Sequence, residues 1–474
     1  MNTTRRNLML GAGAVGVAAA IPGVKYAAWN MKDFTREGYS PDLPSAPAGE
    51  TAWANWSGIQ TATPTRIAVP STEEELAAQI SGARHVRPVG SGHSFTALVP
   101  SEHLIVDASR FGGLVSADAA TGIATIGAGT RIRQAARELD AAGLALQNLP
   151  DVDVQTLAGS FSTSTHGTGR TLQALHAHVE GFRLVTASGE VHDVTPASDP
   201  DLFAAGKVSL GALGVITQYT LKCVPSFNLV RRVWVDKLDT LLDQAVDLSQ
   251  KHRNFEFYCF PSTGYAAGIT HDLFEGEISG REAGEDDEAL AGLKDLRDMF
   301  GWSPWLRRQI ASGSLPKGVI EMSSDVSWKL LSTARPTKFN EMEYHIPLEN
   351  GLDCLREVIR ALESRKDTYF PVEVRITAPD DAWLSPFNTG PRMSIATHAA
   401  VDEPYDYFFS MIEPIHRAHG GRPHWGKLHG LKHDDLTLLY PDFQHFCDLR
   451  KSLDPDGKFL NPHLAGLFGE DFDA

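Results

Sequence analysis

Between Trp53 and Pro225, apolar positions fall in short runs broken by glycine. The runs Arg66 to Val69, His85 to Val89, Leu104 to Asp107, Ala124 to Ile126, Gly181 to Thr186, Val191 to Val194 and Gly214 to Lys222 predict strands. One helix interrupts them near Arg131 to Ala142, where Ile132, Ala135, Ala136 and Leu139 recur at i, i+3, i+4 and i+7. Val185 to Val191 reads as a hairpin with Gly189 in its turn. After Pro225 the units lengthen. Strands are predicted at Leu229 to Val235, Phe255 to Phe260, Glu341 to Ile346, Val372 to Ile376 and Met393 to Thr397. Helices fit between them at Leu238 to Gln250, Leu352 to Leu362 and Tyr405 to His416, the pattern of an α+β unit with helices packed on one sheet. The acidic stretch Glu275 to Asp298 reads as a solvated helical excursion.

The amino-terminal thirty residues follow a different pattern. Arg5-Arg6 precedes a run without charge from Asn7 to Val24, with Ala18, Ala19 and Ala20 near its end, the order of an export signal of twin-arginine type. Four glycines and Pro22 make this run a poor membrane span, although an uncleaved anchor stays open. Gly11-Ala12-Gly13-Ala14-Val15-Gly16 matches G-x-G-x-x-G but has no strand before it, so it is set aside as a dinucleotide site. Residues 32–50, rich in Pro, Ser, Ala and Gly, read as a linker or wrapping arm.

Composition narrows the function. The 474 residues are 42% hydrophobic and 22% charged, as in a soluble globular protein of two large domains or three smaller ones. A net charge of −16 argues against a nucleic-acid partner. Cys223, Cys259, Cys354 and Cys447 show no C-x-x-C spacing and read as buried free thiols. His424, His429 and His433 have no carboxylate at ligand spacing, so no metal is expected.

Two glycine-rich stretches carry the chemistry. Gly90-Ser91-Gly92-His93-Ser94 and Gly159-Ser160-Phe161-Ser162-Thr163-Ser164-Thr165-His166-Gly167 both lie between predicted strands. Glycine permits a tight path with several N–H groups turned inward, a nest for pyrophosphate, and the hydroxyls of Ser91, Ser94, Ser160, Ser162 and Thr163 add donors. Either loop alone is more often an ordinary turn than a cradle. Glu373 and Arg375, two apart in a β-type run, leave one face of their strand while Val372, Val374 and Ile376 leave the other. By itself this pair reads first as a same-strand ion pair on a solvated face.

The ordered series of motifs resembles the sugar-lactone oxidase branch of the vanillyl-alcohol-oxidase flavoprotein superfamily, which includes D-arabinono- and L-gulono-1,4-lactone oxidases and alditol oxidases. The series runs from Trp53-Ala54-Asn55-Trp56-Ser57-Gly58 through both glycine loops and Gly211-Ala212-Leu213-Gly214-Val215-Ile216-Thr217. It continues through Glu341-Met342-Glu343-Tyr344, Glu373-Val374-Arg375 and His424-Trp425-Gly426-Lys427 to Phe459-Leu460-Asn461-Pro462. The resemblance implies a two-subdomain FAD-binding domain at 53–225 and an α+β substrate (cap) domain with one mainly antiparallel sheet at 226–440. A segment at 441–474 would return to the FAD domain, after a signal at 1–28 and a linker at 29–52.

By the same resemblance, Gly90, Ser91, Gly92, His93 and Ser94 would hold FAD, with His93 attached covalently to its 8α-methyl group. Gly159, Ser160, Thr163, His166 and Gly167 would pass close to the flavin, where Ser162, Thr163 or Ser164 would govern the access of oxygen. Gly211, Gly214 and Ile216 would close the adenine side. Glu373 would bind sugar hydroxyls, and Arg375 and Lys427 would favour negative charge on the substrate oxygen or reduced flavin. The implied activity is oxidation of an aldono-1,4-lactone with electrons passing to O2. An alditol oxidase, a dehydrogenase serving a cytochrome or quinone, and a non-catalytic sugar-binding protein are the alternatives. Export would place the protein in the periplasm, outside the cell or at the outer face of the membrane.

Overall fold

The computed structural model describes residues 22–281, 286–333 and 336–473, so the paired arginines and the Gly11 to Gly16 motif lie outside the described residues. A three-stranded parallel sheet forms from β1 (Arg66–Ala68), β2 (Val86–Val89) and β3 (Leu104–Asp107), with β3 central. Helix α1 (Glu73–Ser81) covers it, capped by Thr72, whose hydroxyl accepts from the Glu75 N–H at 3.2 Å. Its buried apolar stripe reduces to Leu76 and Ile80, too short for periodicity to reveal the helix.

A five-stranded antiparallel sheet follows, in the order β7-β6-β8-β5-β4, from β4 (Leu114–Asp118), β5 (Ile123–Gly127), β6 (Val179–Val185), β7 (Val191–Val194) and β8 (Val215–Lys222). The β6–β7 hairpin turns at Gly189, whose φ of +85° is the left-handed conformation expected there. Helix α2 (Ile132–Ala141) buries Ile132, Ala135, Ala136 and Leu139, the stripe read from sequence.

The second half is built on one eight-stranded antiparallel sheet in the order β12-β9-β11-β10-β14-β15-β13-β16. Its strands are β9 (Asn228–Lys237), β10 (Asn254–Phe260), β11 (Tyr265–Leu273), β12 (Gly318–Val326), β13 (Phe339–Pro347), β14 (Val372–Thr377), β15 (Arg392–Ala400) and β16 (Arg422–Pro423). Its two faces differ in chemistry. Met342, Tyr344, Ile346, Val374, Ile376, Met393 and Ile395 lie on the face covered by α4 (Leu238–Lys251) and α5 (Leu348–Ser364), each fully buried aliphatic side chain contributing about 1.5–3 kcal/mol. The opposite face carries Glu256, Tyr258, Glu341, Glu343, Glu373 and Arg375 toward the first half, because strand residues two apart share a face.

Three expectations are corrected. The acidic stretch is helical only over Asp286–Phe300, residues 282–285 lie outside the description, and Arg297 is buried rather than solvated. The helix expected over Tyr405 to His416 is a π-turn, Phe408–Ile412, followed by Glu413–Ala418. Pro414 has no N–H and crowds the carbonyl four residues back, so the wider turn sits where a regular helix would clash. β4, β11, the edge strand β12 and the two-residue β16 are additional to the predicted set.

Both ends of the described residues pack onto this body. Residues 22–30 form a helix whose Trp29 Nε1 donates to the Arg297 carbonyl at 3.1 Å, and the Arg36 N–H then reaches the Asp402 carbonyl. At the other end, the Lys458 carbonyl accepts from Val86 N–H, and Asn461 Nδ2 donates to the Ala97 and Pro100 carbonyls. All four cysteines are free and buried, as expected. Among the described residues no helix is long and apolar enough to cross a membrane.

Candidate active site

Between the polar face of the large sheet and the glycine loops of the first half lies a cavity of about 670 Å³, within the range of cofactor and ligand sites. Gly90, Ser91, Gly92, His93, Ser94, Gly159, Ser160, Thr163, His166, Gly211, Gly214, Ile216, Glu373, Arg375 and Lys427 all line it. Of the candidate residues, Gly167 alone stands apart. A Cβ there would lie 2.3 Å from the Leu149 carbonyl oxygen and 2.8 Å from Asn148 Nδ2, so this glycine serves a close approach of two chain segments. Ser162 and Thr163 reach the cavity wall and Ser164 does not.

The first glycine loop is held from several sides. Arg87, on β2 and fully buried, donates to the carbonyls of Leu98 at 2.8 Å, Leu210 at 2.8 Å, Gly211 at 2.9 Å and also Phe459. Burial pushes its guanidinium down to about 9, still charged at neutral pH. One side chain thereby fixes the relative positions of the first loop and the Gly211 turn. Phe95 N–H donates to the Gly426 carbonyl at 2.7 Å and Thr96 Oγ1 to the Trp425 carbonyl at 2.9 Å, locking the loop to the segment that carries Lys427.

Among the described residues, no protein acceptor takes the N–H groups of Ser91, Gly92, His93 or Ser94. Four consecutive N–H groups without a protein acceptor, on half-buried residues that line the cavity, suit an anionic ligand such as pyrophosphate. A Cβ on Gly90 would lie 2.2 Å from Thr156 Oγ1, so only glycine fits where this loop meets the second. The second loop opens as a short helix, α3 (Leu157–Ser162), capped by Thr156 through the Gly159 N–H at 3.2 Å, where the sequence suggests only a turn.

His93 stacks on Trp56, with ring centroids 5.0 Å apart and an interplanar angle of 24°. Burial first, then the charges of Lys427 and Arg131, push its imidazole down to about 4, so it is neutral at pH 7.

At the sheet end of the cavity, charges are paired in a buried network. Arg375 Nη2 donates to Glu343 Oε1 at 2.8 Å, and its Nε lies 3.5 Å from Glu373 Oε1. His166 Nε2 is 3.1 Å from the same Glu343 oxygen. Burial opposes the charge on Arg375, but Glu373 and Glu343 more than offset it and hold the guanidinium ionised. Burial likewise opposes ionisation of Glu343, and Arg375 with His166 holds it well below the usual carboxylate range. Glu256 goes the other way: burial, then the charges of Asp151 and Glu373, push it well above that range. Lys427 pairs with Glu341. His424 Nδ1 accepts from the Gly426 N–H at 3.0 Å, which places the proton of the neutral ring on Nε2.

Asp151, Glu256, Tyr258, Glu341, Glu343 and His398 thus join a site for which the sequence marks only Glu373, Arg375 and Lys427. Glu341 and Glu343 stand in a motif of the resemblance without an assigned role, and their i, i+2 spacing on a strand is the signal that both face the cavity. His166, Glu343 and His345 also come within metal-ligand spacing, each donor atom lying within 4.8 Å of the others.

Comparison with known proteins agrees with this arrangement. Residues 219–467 match the profile of the D-arabinono-1,4-lactone oxidase family, and residues 64–195 match that of an FAD binding domain. An L-gulono-1,4-lactone dehydrogenase of Mycobacterium tuberculosis is 35% identical over 88% of this chain and 99% of its own length. An L-gulonolactone oxidase of Mus musculus is 31% identical over 87% of this chain and 97% of its own. An alditol oxidase of a Streptomyces species is 29% identical over 88% of this chain and 99% of its own. The crystal structure of cholesterol oxidase from B. sterolicum superposes with a TM-score of 0.72 at 14% identity, covering 90% of this chain and all of that one, a likeness of fold alone.

Proposed function

Because the chain belongs to the D-arabinono-1,4-lactone oxidase family and has FAD as its cofactor, we propose that it oxidises the CH–OH group of an aldono-1,4-lactone, with O2 as the final acceptor and hydrogen peroxide as the product. The observation that carries this reading is the single cavity, which joins a nest of free N–H donors to a wall of paired carboxylates and cations. When bound, FAD supplies the oxidant, taking a hydride from the donor carbon.

The chain's own groups do the rest. Glu373 accepts the hydrogen bond of the reacting hydroxyl, and Arg375, ionised and fixed by two carboxylates, stabilises negative charge as it develops on the substrate oxygen. The Lys427–Glu341 pair, whose carboxylate comes within 4.8 Å of that of Glu373, orients a second hydroxyl. Holding the donor carbon within about 3–3.5 Å of its acceptor is the contribution of these contacts to rate.

His93 is the proposed point of covalent attachment. Its place on the first glycine loop and its neutral imidazole, whose nitrogen lone pair is free to form a bond, support that reading. Residues 1–28 are proposed as a twin-arginine export signal, on the strength of Arg5-Arg6 and the run without charge after them. A reporter fused to residues 1–28 should be exported, and Arg5→Lys with Arg6→Lys should retain it in the cytoplasm.

The deciding experiment is anaerobic titration of the purified flavoprotein with aldonolactones and alditols, followed by air. Bleaching by a lactone with rapid recovery and peroxide formation supports the proposal. Bleaching by alditols alone moves the substrate to polyols, and slow recovery in air moves the acceptor to a cytochrome or quinone. Failure of every compound to bleach the flavin refutes the substrate class.

A further inference from the structure

The segment from Asn55 to Gln60 clamps the first glycine loop by its carbonyls. Trp56 N–H donates to the Gly92 carbonyl at 2.7 Å, Asn55 Nδ2 to that of Ser94 at 2.9 Å and Gln60 Nε2 to that of Phe95 at 2.9 Å. Asn55 is buried and tied down in turn, accepting from the Gln60 N–H at 3.0 Å and donating to Ser57 Oγ at 3.1 Å. The clamp therefore uses the backbone of Trp56 and leaves its side chain to another task.

That side chain meets His93. The indole stacks on the imidazole at 5.0 Å and is braced by T-shaped contacts with Phe95, at 6.4 Å, and with Phe339 on β13, at 5.2 Å. Trp56, His93, Phe95 and Phe339 all line the cavity. A histidine on a loop otherwise samples about three χ1 wells and about two broad χ2 orientations, and a braced ring against one face selects among them. Three elements distant in sequence thus fix one imidazole at the cavity wall.

We propose that Trp56 is a positioning residue for covalent flavin attachment, holding the His93 ring where its nitrogen meets the 8α-methyl group; the inference rests on the attachment at His93 proposed above. Attachment joins an imidazole nitrogen to the methyl carbon and breaks one methyl C–H bond. The nitrogen lone pair makes the new bond. The C–H electron pair passes to the flavin ring, and the methyl proton and the imidazole N–H proton balance it there. O2, the acceptor in the proposed reaction, removes that pair with both protons as hydrogen peroxide. Burial and the charges of Lys427 and Arg131 keep the imidazole neutral, and Trp56 supplies its orientation.

The test follows attachment and not turnover. Full-length protein from riboflavin-starved cells is given saturating FAD in air, and samples quenched in acid are read for flavin fluorescence in the protein band, with circular dichroism confirming the fold of each variant. Wild type should gain acid-stable flavin and His93→Ala none. Trp56→Leu should gain it about 2- to 12-fold more slowly, the worth of one aromatic pair. Its affinity for FAD, measured in the His93→Ala background, should be unchanged because the clamp is intact. Trp56→Phe, which keeps a ring, should recover most of the rate. A Trp56→Leu protein that attaches flavin at the wild-type rate overturns the inference, as does a Trp56→Phe protein as slow as Trp56→Leu, or a slower rate that only follows weaker binding. Should wild type gain no acid-stable flavin, attachment at His93 fails and this inference with it, while bleaching by lactones still judges the oxidation.

Discussion

Replacing Arg375 by Met removes the cation from a pocket in which Glu343 is wholly buried and Glu373 is 6% exposed. Glu343 then has His166 as its remaining close partner, and burial, now opposed by far less charge, pushes its carboxyl upward. Breaking a buried pair from one side costs about 3–5 kcal/mol. The carboxyl can escape by taking a proton. At pH 7 that costs a group with an ordinary value near 4.3 about 4 kcal/mol, at about 1.4 kcal/mol per pH unit, and at pH 5 only about 1 kcal/mol. In wild type the folded-state value of Glu343 lies below its unfolded value, so its contribution is present above that unfolded value and is lost as pH falls through the folded one. In the variant the folded value is raised, so the deficit relative to wild type grows with pH, from about 1 kcal/mol at pH 5 to about 4 kcal/mol at pH 7. Urea unfolding followed by far-ultraviolet circular dichroism at pH 5, 6 and 7 measures it. Arg375→Met with Glu343→Gln should recover most of the loss at pH 7, because an amide has no charge to strand. A deficit independent of pH, or one unchanged in the double variant, refutes the assignment of Glu343 as the stranded charge.

Other outcomes follow from the same geometry. His93→Ala should release its flavin on acid precipitation while the wild-type pellet stays yellow. Gly90→Ala should fall in FAD content at least tenfold, because its Cβ would sit 2.2 Å from Thr156 Oγ1; adding Thr156→Ala should restore part of it at a cost of about 1 kcal/mol for the lost helix cap. Lys427→Met strands Glu341 and should slow flavin reduction by lactone about 10- to 100-fold at pH 7, with partial recovery in Lys427→Met/Glu341→Gln, measured by anaerobic stopped flow.

The sequence pattern reaches some of this site and not the rest, for physical reasons. Alternation along Val372 to Ile376 places Glu373 and Arg375 on one face because the period of a strand is a local property. That Tyr258 stands beside Glu373, and that Glu343 accepts from Arg375, depends on strand order, which joins β10 to β14 across more than a hundred residues and places β15 between β14 and β13. Asp151 comes from an irregular segment where no periodicity operates. Arg87 reads as one polar residue in a short strand, and its four carbonyl partners come from Leu98, Leu210, Gly211 and Phe459, scattered along the chain. β11 is rich in Ala and Gly, Ala266-Ala267-Gly268, so its strand signal is weak although its pairing on both sides is complete. The glycine loops are legible because glycine is demanded by local geometry, as at Gly90.

One sheet face here pushes two carboxyls in opposite directions. Glu343 and Glu256 are both fully enclosed, so desolvation presses each toward the neutral acid. Glu343 escapes it because Arg375 and His166 touch the carboxylate directly; Glu256 does not, because Asp151 and Glu373 are the charges acting most strongly on it. Pairs of acids pushed apart by their surroundings mark acid and base roles in enzymes generally. In this cavity the carboxylate held low fixes the arginine, the carboxyl pushed up carries less of the negative charge around Glu373, and Glu373 itself lies within reach of both Tyr258 and Arg375. Without Glu343 the charge of Arg375 would fall on Glu373 alone and, on the function proposed above, weaken it as an acceptor of the sugar hydroxyl proton. The second carboxylate is therefore what allows a buried cation and a working base to share one strand.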